Sequence, residues 1–282
     1  MQLLVMLAMS LGMLVVASIP DVVLIAAGVD VMSRPVLMWS QGITQPLTFL
    51  VPVLLMTIIY YRGSQRAYYR LDFSGQKWYY ALVGVVMMAL LIPANDWLQV
   101  WNDSWSLGRV GELLRSLQDK TEGVIEAIMG TDSVGGLVAN LLVVALIPAV
   151  CEEVFFRAGI QNLLQRWFSA DGRKPWGVHV AVWVTAIIFS LGHGEVFSFM
   201  PRFVMGVVLG YLYVGGGSIL PNMLAHFANN ALVVVLYWLV SRGVLDIDPE
   251  APLAVDVTLT ICCTLAAVAV FSVTFGKKLK TN

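Results

Sequence analysis

LLVVALIPAVCEEVFFRAGIQNLL, residues 141–164, is an apolar run long enough to cross a bilayer, broken by two adjacent carboxylates, Glu152 and Glu153, and by Arg157. A spanning helix needs about 20 mostly apolar residues. Working outward, the same reading gives spans at 2–28, 36–61, 79–101, 136–163, 178–196, 199–216, 218–241 and 252–275. The chain therefore reads as an all-α polytopic membrane helix bundle of about eight transmembrane helices. The boundaries near 197 and 217 are the least marked, so seven spans also fit. Composition agrees, because 59% of the 282 residues are hydrophobic and only 12% charged. Mean hydropathy is +0.80. Soluble domains carry about 25% charged residues, and this chain has too few to clothe a soluble fold.

A net charge of −1 argues against nucleic acid, which calls for a clustered basic face. Cys151, Cys262 and Cys263 form no disulfide framework. The N-terminus lacks a positive n-region, so its apolar stretch reads as a retained first span rather than a cleaved signal. Ten Lys and Arg residues (Arg62, Arg66, Arg70, Lys77, Arg166, Arg173, Lys174, Lys277, Lys278, Lys280) fall on one face of an eight-span chain. Six (Arg34, Arg109, Arg115, Lys120, Arg202, Arg242) fall on the other. The positive-inside rule then puts both termini in the cytoplasm, and the short loops fit a bacterial plasma membrane. One polar segment, 102–135, repeats Val110, Leu114, Leu117, Val124 and Ile128 at helical spacing between charges. That pattern predicts an amphipathic helix lying in the interface. The whole chain, 1–282, reads as a single membrane domain.

An ionisable group inside a span costs roughly 2.5–3.5 kcal/mol on insertion scales, so each one asks for a reason. Glu153 and Arg157 stand four apart, the spacing of a helical ion pair. Glu152 points about a quarter turn away, with no cation one turn along. A carboxylate so placed in low dielectric suits proton transfer near neutral pH. Of three histidines, His179 begins a span and reads as interfacial. His193 ends Phe189-Ser190-Leu191-Gly192-His193, followed by Gly194. His226 opens His226-Phe227-Ala228-Asn229-Asn230, one helical turn from both Asn230 and Asn222. Polar residues in spans often serve only as glue between helices. An acid pair, an arginine, two histidines and an asparagine over three spans exceed what glue explains.

At these residues the chain resembles the CPBP family, the CAAX proteases and bacteriocin-processing proteins also called Abi. That family's signature is Glu-Glu-x-x-x-Arg, then Phe-x-x-x-His, then His-x-x-x-Asn or Asp, each on its own membrane helix. All three occur here in order, as Glu152-Glu153-x-x-x-Arg157, Phe189-x-x-x-His193 and His226-x-x-x-Asn230. The resemblance covers roughly residues 136–245. It implies an intramembrane endopeptidase with a peptide or protein substrate, CAAX-type and prenylated or leader-like, and a membrane-embedded site open to water. It further implies that Glu152 and His193 activate water, that His226 and Asn230 donate to the oxyanion, and that Glu153 with Arg157 braces the site. The family is customarily filed with metalloproteases. Glu152, His193 and His226 would then supply a His₂Glu set for a divalent metal such as zinc, while metal-free glutamate chemistry needs no cofactor. No His-Glu-x-x-His occurs, and paired donors on one face (His226 and Asn230) favour the metal-free form.

Other readings carry less. Cys151 beside two carboxylates is a poor thiolate nucleophile, and no paired broken helices mark a transporter. A non-catalytic membrane scaffold or immunity protein of the same family is the main alternative. With the spans as drawn, His193 falls near the non-cytoplasmic end of its helix and His226 about 12 Å in from the cytoplasmic side. A common depth needs an offset fifth span or an inward dip at Gly192 and Gly194.

Overall fold

Large apolar side chains point outward along the helices, and polar ones point in. Leu11, Val15, Val22, Leu265 and Val273 are exposed, whereas Asn102, Asn140, Glu153, Arg157, Gln161 and Asn222 are buried. A protein whose solvent is hydrocarbon distributes its side chains in this way. The computed structural model describes residues 1–72, 77–169, 176–249 and 256–276. Arg173, Lys174, Lys277, Lys278, Lys280 and the first residues of the eighth expected span lie outside the described residues.

Besides one short turn of helix at Gln65–Tyr69, the helices described are, in chain order, α1 (Gln2–Ala26), α2 (Arg34–Tyr60), α3 (Lys77–Asp103), α4 (Gly108–Met129), α5 (Val134–Phe168), α6 (Trp176–Leu191), α7 (Val196–Gly216), α8 (Leu220–Ser241) and α9 (Val257–Phe275). Among the described residues there are no strands. Of α1 to α9, all except α4 and α6 are long and apolar enough to span, which makes seven. The fifth expected span, 178–196, is corrected: α6 has 16 residues and stops at Leu191. The backbone then turns at Gly192 and His193, and Gly194 adopts φ +74°, a conformation glycine takes without a Cβ penalty.

The chain packs as two compact units. The first comprises Met1–Leu71, Glu122–Leu163 and His226–Pro249, and the second Asp72–Thr121, Leu164–Ala225 and Glu250–Asn282.

In the first unit, proline chemistry shapes the interior. Pro52 has no N–H to give to the carbonyl of Thr48 one turn back, and Ser10 Oγ of α1 donates to that carbonyl at 2.7 Å. A buried serine in an otherwise apolar span is thereby explained. Arg34 donates from Nε to Ile128 O at 2.9 Å and from Nη2 to Asn140 Oδ1 at 2.8 Å. It therefore satisfies a carbonyl that the C-terminus of α4 leaves open. Met129, Ala145 and Val234 form the adjoining core, with Ile125, Leu141 and Phe227 packed on it.

In the second unit, small residues let helices approach closely. A Cβ added at Gly84 would stand 2.8 Å from Ala225 Cβ, and one at Gly206 3.1 Å from Ala186 Cα. Around Gly84, Val83, Met87, Leu209, Leu212 and Phe275 make the core. Within the segment 102–135 in this unit, Val110 and Leu117 are exposed, while Gly111 and Gln118 are buried. The reason is polar. Gln118 Oε1 accepts from Phe197 N at 3.2 Å and its Nε2 donates to Ser198 Oγ at 3.3 Å, which turns the helix to aim an amide inward.

Candidate functional site

Helix α5 widens twice around the acid pair. Leu141–Leu146 and Val154–Gln161 follow π-type i→i+5 bonding, with the α-helical turns Ile147–Glu153 between them. Pro148, at the start of those turns, cannot donate to a preceding carbonyl, so the ladder is loosened where the carboxylates sit. Segments of this kind frequently mark functional sites because they re-aim side chains.

Four motif residues meet in the first unit. Arg157 Nε donates to Glu153 Oε2 at 3.0 Å, and both side chains are fully buried. Glu153's other oxygen, Oε1, accepts from His226 Nδ1 of α8 at 3.1 Å. The opposite ring nitrogen, Nε2, lies 3.9 Å from Glu152 Oε2. The two carboxylates of α5 thus face the two nitrogens of one imidazole. Glu152 Oε1 receives a hydrogen bond from Gln45 Nε2 of α2 at 3.4 Å. Phe49 packs edge-on against Phe155, with ring centroids 5.1 Å apart, and closes the apolar flank.

The remaining predicted residues stand as follows. Asn230, one turn beyond His226, accepts from Asn229 Nδ2 at 3.3 Å, and no hydrogen bond joins the Asn230 and His226 side chains among those described. His193 belongs to the second unit and sits past the end of α6, which corrects the expectation that the second motif lies wholly on a membrane helix. Its Nδ1–H donates to Phe189 O at 2.8 Å, which fixes the ring and leaves Nε2 as the acceptor of the neutral form. His179 contacts Tyr211 OH at 2.8 Å, and Asn222 donates to Leu209 O at 2.6 Å.

Two features escaped the sequence. Gln45 gave no motif, and its only signal is the cost of an amide inside a span. The other is the grip on the turn that follows His193. Asn102 donates from Nδ2 to Val196 O at 3.0 Å and accepts from Met200 N at 2.7 Å. The Arg115 guanidinium lies 3.7 Å over the Phe197 ring, and Arg202 pairs with Glu195.

A cavity of about 260 Å³ lies between α1 and α2 and holds Asp21, Trp39 and Ser40 but none of the motif residues. Among the described residues, no three His, Cys, Asp or Glu side chains come together as a metal-binding group. His226 Nδ1 is engaged by Glu153.

Residues 134–232 match the family model described as Type II CAAX prenyl endopeptidase Rce1-like. This segment contains all three motifs, so the resemblance read from them is shown over it. No curated protein and no solved structure matches the chain.

Proposed function

We propose that the protein is an intramembrane endopeptidase in which Glu152 and His193 activate water, while His226 and Asn230 stabilise the oxyanion. The observation that carries this reading is the meeting of Glu152 and Glu153 with the two nitrogens of His226. Glu152 takes a proton from water as its oxygen adds to the peptide carbonyl, and His193 Nε2 orients that water. His226, with Nδ1–H held by Glu153, presents Nε2–H as an imidazolium to the developing oxyanion. An oxyanion donor of this kind is worth about 3–4 kcal/mol of barrier. Arg157 offsets the charge of Glu153, so that carboxylate orients the His226 ring without adding net charge of its own. Collapse of the adduct breaks the C–N bond, and the proton held by Glu152 passes to the leaving amine. The products are a carboxylate and a free amine.

The family match supports a CAAX-type peptide as substrate, carried in or against the membrane, and a leader-like peptide is the other substrate that the motif resemblance implies. The test compares the peptides of cells expressing the natural chain with those of cells expressing Glu152→Gln. The expected result is a protein that keeps its C-terminal or leader residues only in the variant cells. Identical processing, together with an unchanged cellular phenotype, would instead identify a membrane scaffold or immunity protein.

A further inference from the structure

Asp21 is the only charged side chain of α1, five residues before the helix ends at Ala26. The only charge of α2, Arg34, is turned to Ile128 O and Asn140 Oδ1. An acid inside a span is costly and asks for a partner. Ser40 Oγ of α2 donates to Asp21 Oδ2 at 2.8 Å, and no cation pairs with Asp21 among the described residues. A serine hydroxyl joins the two helices but leaves the negative charge in place. Joining alone needs only an uncharged acceptor, such as a second serine or an asparagine.

The charge opens into the cavity of about 260 Å³, whose other walls, Ala17, Leu24, Val36, Trp39 and Ile43 among them, are apolar. Ala17 to Leu24 covers about 10 Å of α1, a length that suits a stretch of hydrocarbon chain. Asp21 lies about 7–8 Å inside the end of α1. Trp39 is 72% exposed, and tryptophan gathers where lipid head groups meet the hydrocarbon.

We propose that this cleft binds a membrane lipid whose head group ends in a primary ammonium, as in phosphatidylethanolamine. Asp21 is its counter-ion, and one hydrocarbon chain lies along Ala17, Trp39 and Ile43. The ammonium has three N–H donors and meets Asp21 Oδ1, which Ser40 leaves open. A phosphatidylcholine head carries the same charge without an N–H. A phosphatidylglycerol head brings only negative charge to a carboxylate.

The full chain is tested in nanodiscs holding these three lipids in equal parts, with native mass spectrometry identifying the lipid that stays on the released protein. The natural chain should keep phosphatidylethanolamine over either other lipid by about tenfold or more, as a hydrogen bond to a charged group implies. Asp21→Asn, which keeps an acceptor for Ser40, should hold all three equally. Ile43→Trp keeps the charge but fills the cleft, and it should lose the preference as well. In detergent, added phosphatidylethanolamine should raise the melting temperature of the natural chain and leave that of Asp21→Asn where it was. If Asp21→Asn fails to insert, Ile43→Trp decides. Equal retention of the three lipids by the natural chain overturns the proposal, as does retention of phosphatidylglycerol or phosphatidylcholine first. A preference that survives either substitution overturns it too.

Discussion

Among the described residues Arg157 is the bulkiest side chain that the fold buries completely, and it pairs with Glu153. Removing one partner of a buried pair leaves an uncompensated ion, a loss of about 3–5 kcal/mol. Glu153→Gln should therefore melt well below the natural protein. Glu152→Gln should melt close to it and yet lose about 10²–10⁴-fold in turnover, the usual worth of a proton-transfer group. Thermal unfolding in detergent beside a cleavage assay separates the two. If Glu153→Gln melts normally, the pair does not brace the site. The Glu153–Arg157 contact was legible in the sequence because both residues ride one helix at four-residue spacing. The contacts of His226 with Glu153, and of Gln45 with Glu152, were not. Each depends on how two helices are rotated about their axes, and no spacing within one chain segment encodes that.

At the scale of elements, the turn after His193 is held by amides. Asn102 satisfies Val196 O and Met200 N together, where the irregular backbone cannot satisfy itself. In Asn102→Ala, amide hydrogen exchange should accelerate at Phe197, Ser198 and Met200 while the middle of α7 keeps its protection. Equal exchange in both proteins would show that the turn needs no such hold. Hydropathy could not place this turn: residues 178–196 are apolar enough to read as one span, and only the backbone at Gly192 and Gly194 ends the helix. A second boundary is set by charge. Asp256 caps α9, accepting from Thr258 N at 2.8 Å and Leu259 N at 3.2 Å. Those hydrogen bonds, that from Leu259 foremost, hold its carboxyl below the usual range. A depressed carboxyl contributes stability that is complete above its unfolded value, about 3.9, and is lost as pH falls through the lower folded value. Protection of the Thr258 and Leu259 amides should thus be full at neutral pH and fade only below about pH 4. Asp256→Asn should abolish that dependence. Fading at a higher pH would contradict the cap.

For the molecule as a whole, composition alone announced a membrane protein, and the outward-facing leucines and valines agree with it. The number of crossings was harder to read. Helix α6 extends roughly 24 Å at 1.5 Å per residue, short of a hydrocarbon core of about 30 Å. The turn at residues 192–195 must therefore share in the crossing if there are eight. Eight crossings return both termini to the cytoplasm, in line with the excess of Lys and Arg on that face. Reporter fusions at Met1 and Asn282 should both read as cytoplasmic. Opposite readings would mean that α6 does not cross.

The proposal that Glu152 and His226 carry out hydrolysis is tested most directly with the purified full chain in lipid nanodiscs and a farnesylated peptide ending in a CAAX sequence. Mass spectrometry would follow the peptide, and the metal content of the same preparation would be measured alongside. The natural protein should release the last three residues, while Glu152→Gln and His226→Ala, both inserted and folded, should leave the peptide whole. Cleavage by Glu152→Gln at the natural rate would contradict the assignment of that carboxylate as the group that activates water.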